Sequence, residues 1–240
     1  MELNEISLAP FKEVVRVMEK WKIIPLKYSE TILDKKLSRA TNYRLFGNME
    51  KFGLAKRLKL TNTSGMILVP SKGLVDYLKI PMNYDQFDHD KVVSYIAAGF
   101  LRAEAFKSHD LTFEHELSKF SAGSLIPDIV FNGVSPTSGD EFRLAIEVEL
   151  SRKSFAKIDT KIARYVQDNT FDLVIYAFTS EPLFNLFKNR IESYPNEEFK
   201  ELVKERITLV QVENYLNFPD EIFGCKCIHK GQEGFLGDFF

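Results

Sequence analysis

Three carboxylates and a lysine stand at spacings that suit phosphodiester chemistry. Asp128 follows Pro127, Glu147 and Glu149 flank Val148 nineteen residues later, and Lys153 lies four residues beyond Glu149. Residues i and i+2 of a strand share a face, with Cα atoms about 6.5 to 7 Å apart, so Glu147 and Glu149 point the same way. A hairpin between Asp128 and Glu147 would set all three acids at one sheet edge. Converging carboxylates form a hard oxygen site suited to Mg²⁺ or Mn²⁺. Such an ion binds a phosphodiester oxygen and lowers the pKa of an attacking water. Like charges this close are costly to bury without a cation. Lys153, Lys157 and Lys161 recur every four residues and would put positive charge beside a scissile phosphate. The same lysines would equally serve as a solvated helix face pairing with Asp159, and Glu-Val-Glu on a strand is more often a solvent face. The order of the surrounding elements favours the site.

Those elements can be read from periodicity. Asp88 caps an expected helix with Val92, Val93, Ile96, Ala97, Phe100 and Leu101 in one apolar stripe. Alternation of Leu111, Phe113, His115 and Leu117 with Thr112, Glu114 and Glu116 predicts a strand, and Ile126 to Phe131 a second. A third runs from Phe142 to Leu150, with Leu144, Ile146 and Val148 on one face and Arg143, Ala145, Glu147 and Glu149 on the other. Ser151 opens a helix to about Gln167 that buries Phe155, Ile158, Ile162 and Val166. The continuously apolar run Phe171 to Thr179 predicts a strand covered on both faces. Helices at 181–192 and 196–205 and a strand at Ile207 to Val212 complete a three-layer α/β domain.

The first 80 residues read differently. Phe11, Val14, Val15, Met18 and Trp21 predict a helix over 9–23, followed by a short helix at 29–36. Ser38 caps a third helix, carrying Leu45, Met49 and Phe52 and stopping at Gly53. Lys56 to Leu60, a turn at Thr61 to Gly65 and Met66 to Val69 form a basic hairpin, and Ser71 to Leu78 a closing helix. This order is that of a winged helix-turn-helix. Arg39, Thr41, Asn42 and Arg44 would face a major groove, with Lys56, Arg57 and Lys59 on phosphates. Residues 1–80 hold 15 Lys and Arg against 8 Asp and Glu, a net of +7, while 81–240 carry a net of −9. A basic front joined to an acidic back fits a nucleic-acid module attached to something else. A winged helix used only for protein contact is the alternative. Arg and Asn on the polar face favour DNA, because these side chains read base edges. The expected domains are 1–80 and 87–240, joined by an 81–86 linker.

Ile126-Pro127-Asp128-Ile129-Val130-Phe131, then Glu147-Val148-Glu149-Leu150-Ser151-Arg152-Lys153-Ser154, with Lys161 and Tyr165 beyond, resembles the PD-(D/E)XK nuclease superfamily. Behind a winged helix, the same string is similar to the replication-relaxation family, and its length and layout to the MobC-type plasmid mobilisation relaxases. The resemblance covers nearly the whole chain. It implies an N-terminal winged helix-turn-helix followed by a restriction-endonuclease-like three-layer α/β/α domain. It also implies a metal-dependent endonuclease that nicks plasmid or mobile-element DNA at a transfer origin. Carried over, Asp128 and Glu147 are metal ligands, Glu149 a ligand or general base, and Lys153 the phosphate-contacting cation, with Lys157 and Lys161 as further DNA contacts. Mg²⁺ or Mn²⁺ would be the cofactor. The partners implied are double-stranded DNA and an accessory mobilisation or coupling protein. The sequence departs from the superfamily in having Glu149 where most members have Lys. A non-catalytic DNA-binding regulator or origin-binding protein, and a double-strand endonuclease acting as a dimer, are the alternatives.

Other signals narrow the class. Hydrophobic residues make up 45% and charged residues 28%, with 21 Phe, a globular rather than disordered composition. No run approaches the ~18 consecutive apolar residues of a membrane span, so no membrane insertion is expected. The acidic start Met1-Glu2-Leu3-Asn4-Glu5 lacks an apolar core, and with only Cys225 and Cys227 the expected location is cytoplasmic. Four histidines without a His-x-His pair argue against a His-cluster, Tyr-nucleophile relaxase, and Tyr165 reads as packing. Cys225, Cys227 and His229 alternate like a zinc-binding face but lack a fourth ligand. His115 or Glu116 is a further candidate for the metal site.

Overall fold

The computed structural model describes residues 8–36, 38–60, 65–102, 109–118, 125–135, 138–194, 196–212 and 222–239. The chain is mixed α/β and divides into two compact units between Ala98 and Gly99.

In the first unit, α1 (Lys12–Trp21) buries Val14, Val15, Met18 and Trp21 on the predicted stripe. It stops at Lys22, whose φ of 57° leaves the helical region. Next come a two-residue strand, β1 (Ile24–Pro25), and one helical turn, α2 (Ser29–Ile32). The helix expected to reach 36 ends early, and Asp34 has a φ of 48°. Ser38 caps α3 (Arg39–Lys51) as predicted, its Oγ accepting the Thr41 N–H at 3.1 Å. Gly53, at φ 67°, supplies the left-handed turn after it. β2 (Ala55–Lys59) and β3 (Met66–Pro70) pair antiparallel, and β1 adds to the far side of β3, giving the order β1-β3-β2. The turn expected at Thr61 to Gly65 lies, for residues 61–64, outside the described residues. α4 (Lys72–Leu78) follows, capped by Ser71.

The sequence places a linker at 81–86, but the unit boundary falls later. The helix α5 (Phe87–Leu101) belongs through Ala98 to the first unit. Lys22 Nζ reaches Asp90 Oδ2 at 3.3 Å, Ser94 Oγ donates to the Trp21 carbonyl at 3.3 Å, and Tyr95 meets Tyr28 edge-on. An amphipathic stripe shows that a helix buries one face, not which partner covers it.

The second unit is built on seven strands in the order β10-β9-β8-β7-β6-β5-β4. β4 (His109–Phe113), β5 (Ile129–Val134) and β6 (Glu141–Glu149) pair antiparallel in succession. β7 (Leu173–Phe178) and β8 (Ile207–Gln211) lie parallel to β6. β9 (Lys226–His229) and β10 (Gln232–Phe235) close the sheet antiparallel. The β6–β7 crossover carries α7 (Phe155–Gln167), and β7–β8 carries α8 (Glu181–Glu192) and α9 (Glu197–Arg206). Every residue of β7 is buried, as its apolar run predicts, and so is every residue of β8, Thr208 and Gln211 included. The strand expected to run through Leu117 breaks at Phe113. A turn of helix, α6 (Glu114–Leu117), replaces it, because Glu116 Oε2 accepts the Phe113 N–H at 3.0 Å. α7 begins at Phe155 rather than Ser151. It buries Ile158, Ile162 and Tyr165, while Phe155, expected inside, is exposed.

Aromatic rings fill the core of this unit. Phe178, fully buried, lies 4.8 Å from the Phe187 ring and 6.0 Å from Phe184. Truncating such a ring loses apolar burial and leaves a cavity. Phe178→Ala is expected to lower the unfolding free energy by about 3 to 5 kcal/mol, read from urea denaturation with an unchanged slope.

Candidate active site

The register of the β5–β6 pair, Ile129 opposite Ile146, sets Asp128 beside the end of β6. Asp128 stands one residue before β5, not inside it. Its Oδ2 accepts the Val148 N–H at 2.7 Å, so the hairpin brings Asp128 against the Glu-Val-Glu segment as predicted. Glu147 and Glu149 are each 2% exposed. They do not form a solvent face, because both sides of β6 are covered from Leu144 to Glu149.

α7 answers that burial. Lys161 and Tyr165 stand one helical turn apart on one face and both reach Glu147. Lys161 Nζ lies 2.5 Å from Oε2, and the Tyr165 hydroxyl donates to Oε1. Lys153, ahead of the helix, lies 2.6 Å from Glu149 Oε1. From the neighbouring strand, Tyr176 pairs in register with Glu147. Its buried hydroxyl has no hydrogen-bond partner among the described residues, and its ring meets Tyr165 edge-on at 6.3 Å.

The electrostatics follow from this packing. Burial, and then the negative charge of Asp128, push Glu147 from 4.5 up to about 8, against the pull of Lys161 and Tyr165. Burial works against the Lys161 ammonium, yet the adjoining Glu147 carboxylate holds its pKa above the ordinary lysine value. Burial and the neighbouring carboxylates raise both Tyr165 and Tyr176, so both rings keep their protons.

The predicted residues are therefore sorted into new roles. Asp128, Glu147, Glu149 and Lys153 come together. Lys161, read from the sequence as a DNA contact, is the counter-ion of Glu147, whereas Lys157 is exposed on α7. Tyr165 is core packing, as expected, but also the hydrogen-bond donor to Glu147. The Lys161-x-x-x-Tyr165 spacing held that signal. Among the described residues no three His, Cys, Asp or Glu side chains gather into a group that could hold a metal ion. The expected three-carboxylate cage is not formed. Asp128 spends one oxygen on Val148, and Glu149 is drawn to Lys153. Asp128 and Glu147 remain coupled through charge, the Asp128 carboxylate helping to hold the Glu147 proton.

His115 stacks on Phe113 and Glu116 caps that residue's N–H. Cys225 and Cys227 are free thiols, and His229 Nδ1 lies 2.7 Å from Thr208 Oγ1. In the first unit Thr41 is tied to the Ser38 cap. Arg57 is held by Glu50, its Nε lying 2.7 Å from Oε2, and is not a free phosphate contact. Arg44, Lys56 and Lys59 are exposed, and the Arg39 side chain lies outside the described residues. No protein family, curated protein or solved structure matches this chain.

Two measurements follow. A carboxyl whose folded pKa lies above its unfolded value binds its proton more tightly in the native state. Its stabilising contribution is complete below about pH 4.5 and lost as pH rises toward about 8. Thermal melts in EDTA should show that decline across pH 5 to 8, and Glu147→Gln should flatten it. Lys161→Met removes one partner of a buried pair and should cost about 3 kcal/mol in chemical denaturation. Glu147→Gln combined with Lys161→Met should recover most of that loss.

Proposed function

We propose that this protein is a metal-dependent endodeoxyribonuclease, a relaxase-like nickase of plasmid or mobile-element origin DNA. Its first unit reads as a winged helix-turn-helix that binds the DNA, and its second as a PD-(D/E)XK nuclease domain. One observation carries the reading. The order helix, three antiparallel strands, helix, parallel strand brings Asp128 and Glu147 to one strand end, with Lys153 and Lys161 beside them. A cation there would offset the cost that burial imposes on the charged form of Glu147.

Asp128 and Glu147 would hold Mg²⁺ or Mn²⁺, which supplies a polarised phosphate oxygen and an acidified water. Lys161 and Tyr165 fix the Glu147 carboxylate by hydrogen bonds to both of its oxygens. This spares it the entropy cost of ordering at the moment of binding. Glu149 is placed to take a proton from the attacking water. Lys153 holds that carboxylate in place and, being partly exposed, offers its remaining donors to the scissile phosphate. Arg44, Lys56 and Lys59 supply exposed positive charge on the first unit for the phosphate backbone.

A second reading has its own observation. Each buried glutamate already has a lysine at hydrogen-bond distance, an arrangement that would also suit a DNA-binding regulator whose nuclease fold serves as a platform.

Supercoiled plasmid carrying the host replicon's origin region, incubated with Mg²⁺ or Mn²⁺, separates the two. Nickase activity predicts open circles that vanish in EDTA and with Asp128→Ala. Linear product would indicate double-strand cleavage. Retarded but uncut plasmid in every lane would leave the regulator.

A further inference from the structure

The first unit contains a groove of about 530 Å³ walled by α2, α3 and the β2–β3 hairpin. That is within the range of about 300 to 1,000 Å³ typical of small-molecule sites. Lys27, Glu30, Asn42, Tyr43, Arg57 and Met66 line it. None of these residues belongs to the nuclease-like site, and the groove lies wholly within one unit.

Its chemistry centres on Tyr43, an aromatic ring left 71% exposed on a capped helix. The Arg57 guanidinium lies over that ring, 4.8 Å from its centroid. Arg57 crosses α3 along one face. Its terminal nitrogen passes Gly47, where an added Cβ would come within 3.7 Å, and ends on Glu50 at 2.5 Å. Tyr43, Gly47 and Glu50 are spaced i, i+4 and i+7, so one helix stripe carries ring, gap and anchor. The side-chain and backbone N–H groups of Arg57 both go to Glu50, and Glu50 is held below the ordinary carboxylate range by them. The ring is thus backed by a pinned cation while most of its surface meets water. Beside it, the Asn42 side-chain oxygen is buried without a donor among the described residues, a cost that a ligand or water must relieve.

An exposed, cation-backed aromatic on a rigid helix is a stacking platform for a flat π-system. The surroundings say which one. Within the groove Glu30 offsets Lys27 and Glu50 offsets Arg57, but Arg44 on α3 and Lys56 on β2 are exposed cations on the same two elements, which favours a phosphate-bearing ligand. In a perfect duplex the base faces are hidden in the stack, so only an unpaired base can offer one.

We propose that this groove holds one unpaired nucleotide of a DNA strand, its base stacked on Tyr43. The proposal rests on the DNA-binding reading of the first unit and deepens it.

Binding of the full-length protein in EDTA tests this by fluorescence anisotropy at one ionic strength. The probes are a labelled single strand, a perfect duplex and the same duplex with one bulged base. The single strand and the bulged duplex should bind more tightly than the perfect duplex. Tyr43→Ala should weaken both by about ten- to hundredfold, what one stacked base is worth. Tyr43→Phe should bind as wild type. Circular dichroism and melting of Tyr43→Ala should match wild type, because the ring is exposed. Unchanged binding by Tyr43→Ala would overturn the proposal while leaving duplex recognition intact. Displacement by equimolar free dAMP would overturn the assignment to a strand. Failure to bind any of the three DNAs would overturn both this proposal and the DNA reading beneath it.

Discussion

The burial of Glu147 is the constraint around which the second unit is organised. A carboxylate removed from water loses hydration that only hydrogen bonds and opposite charge replace. β6 lies inside the sheet with neighbours on both edges and both faces covered, so water does not provide that replacement. Lys161 and Tyr165 do so from a helix that must stand at one particular rotation. The same rotation places Ile158 and Ile162 in the aromatic core. The polar contact and the apolar packing of α7 are therefore one geometric requirement, and neither can be met in a register that fails the other.

The second buried glutamate is accommodated in a similar way. Glu149 follows two residues on along the strand, and its charge is met by Lys153 from the segment after β6. Lysines from beyond the strand thus bring back the positive charge that the strand itself lacks. Asp128, half-buried and anchored to the Val148 amide, contributes the negative potential that keeps Glu147 hard to ionise.

The first unit uses charge in another way. Its basic residues divide into those that hold the structure and those that face water. Arg57 ties the hairpin to α3 through Glu50, and Lys22 ties α1 to α5 through Asp90. Arg44, Lys56 and Lys59 remain exposed. A net charge counted along a sequence mixes these two populations, since partners distant in sequence are not visible in the count. The +7 of the front is real, but the share open to a nucleic acid is smaller.

Local periodicity determined most of the elements. Whereas α3 buries Phe46 with Met49 and leaves the expected Phe52 exposed, the stripe of α1, that of α7 apart from Phe155, the Ser38 cap and the unbroken apolar run of β7 are properties of neighbouring residues. They were readable because helices and strands repeat every 3.6 and 2 residues. The proximity of Asp128 to Glu147 was readable for the same reason, since a hairpin is a local object. What the sequence alone could not decide depends on partners brought together across the fold. The two-residue β1 has no period of its own and exists only because β3 offers it an edge. The alternation from Leu111 to Leu117 fits a strand, yet Glu116 folds back on Phe113 and ends it. α5 shows an apolar stripe, but only Trp21, Lys22 and Tyr28 reveal which unit covers it. That Lys161 reaches Glu147, and Arg57 reaches Glu50, was likewise decided by tertiary packing. A long cationic side chain pairs with whatever carboxylate the fold carries within its reach, and only the folded chain sets that distance.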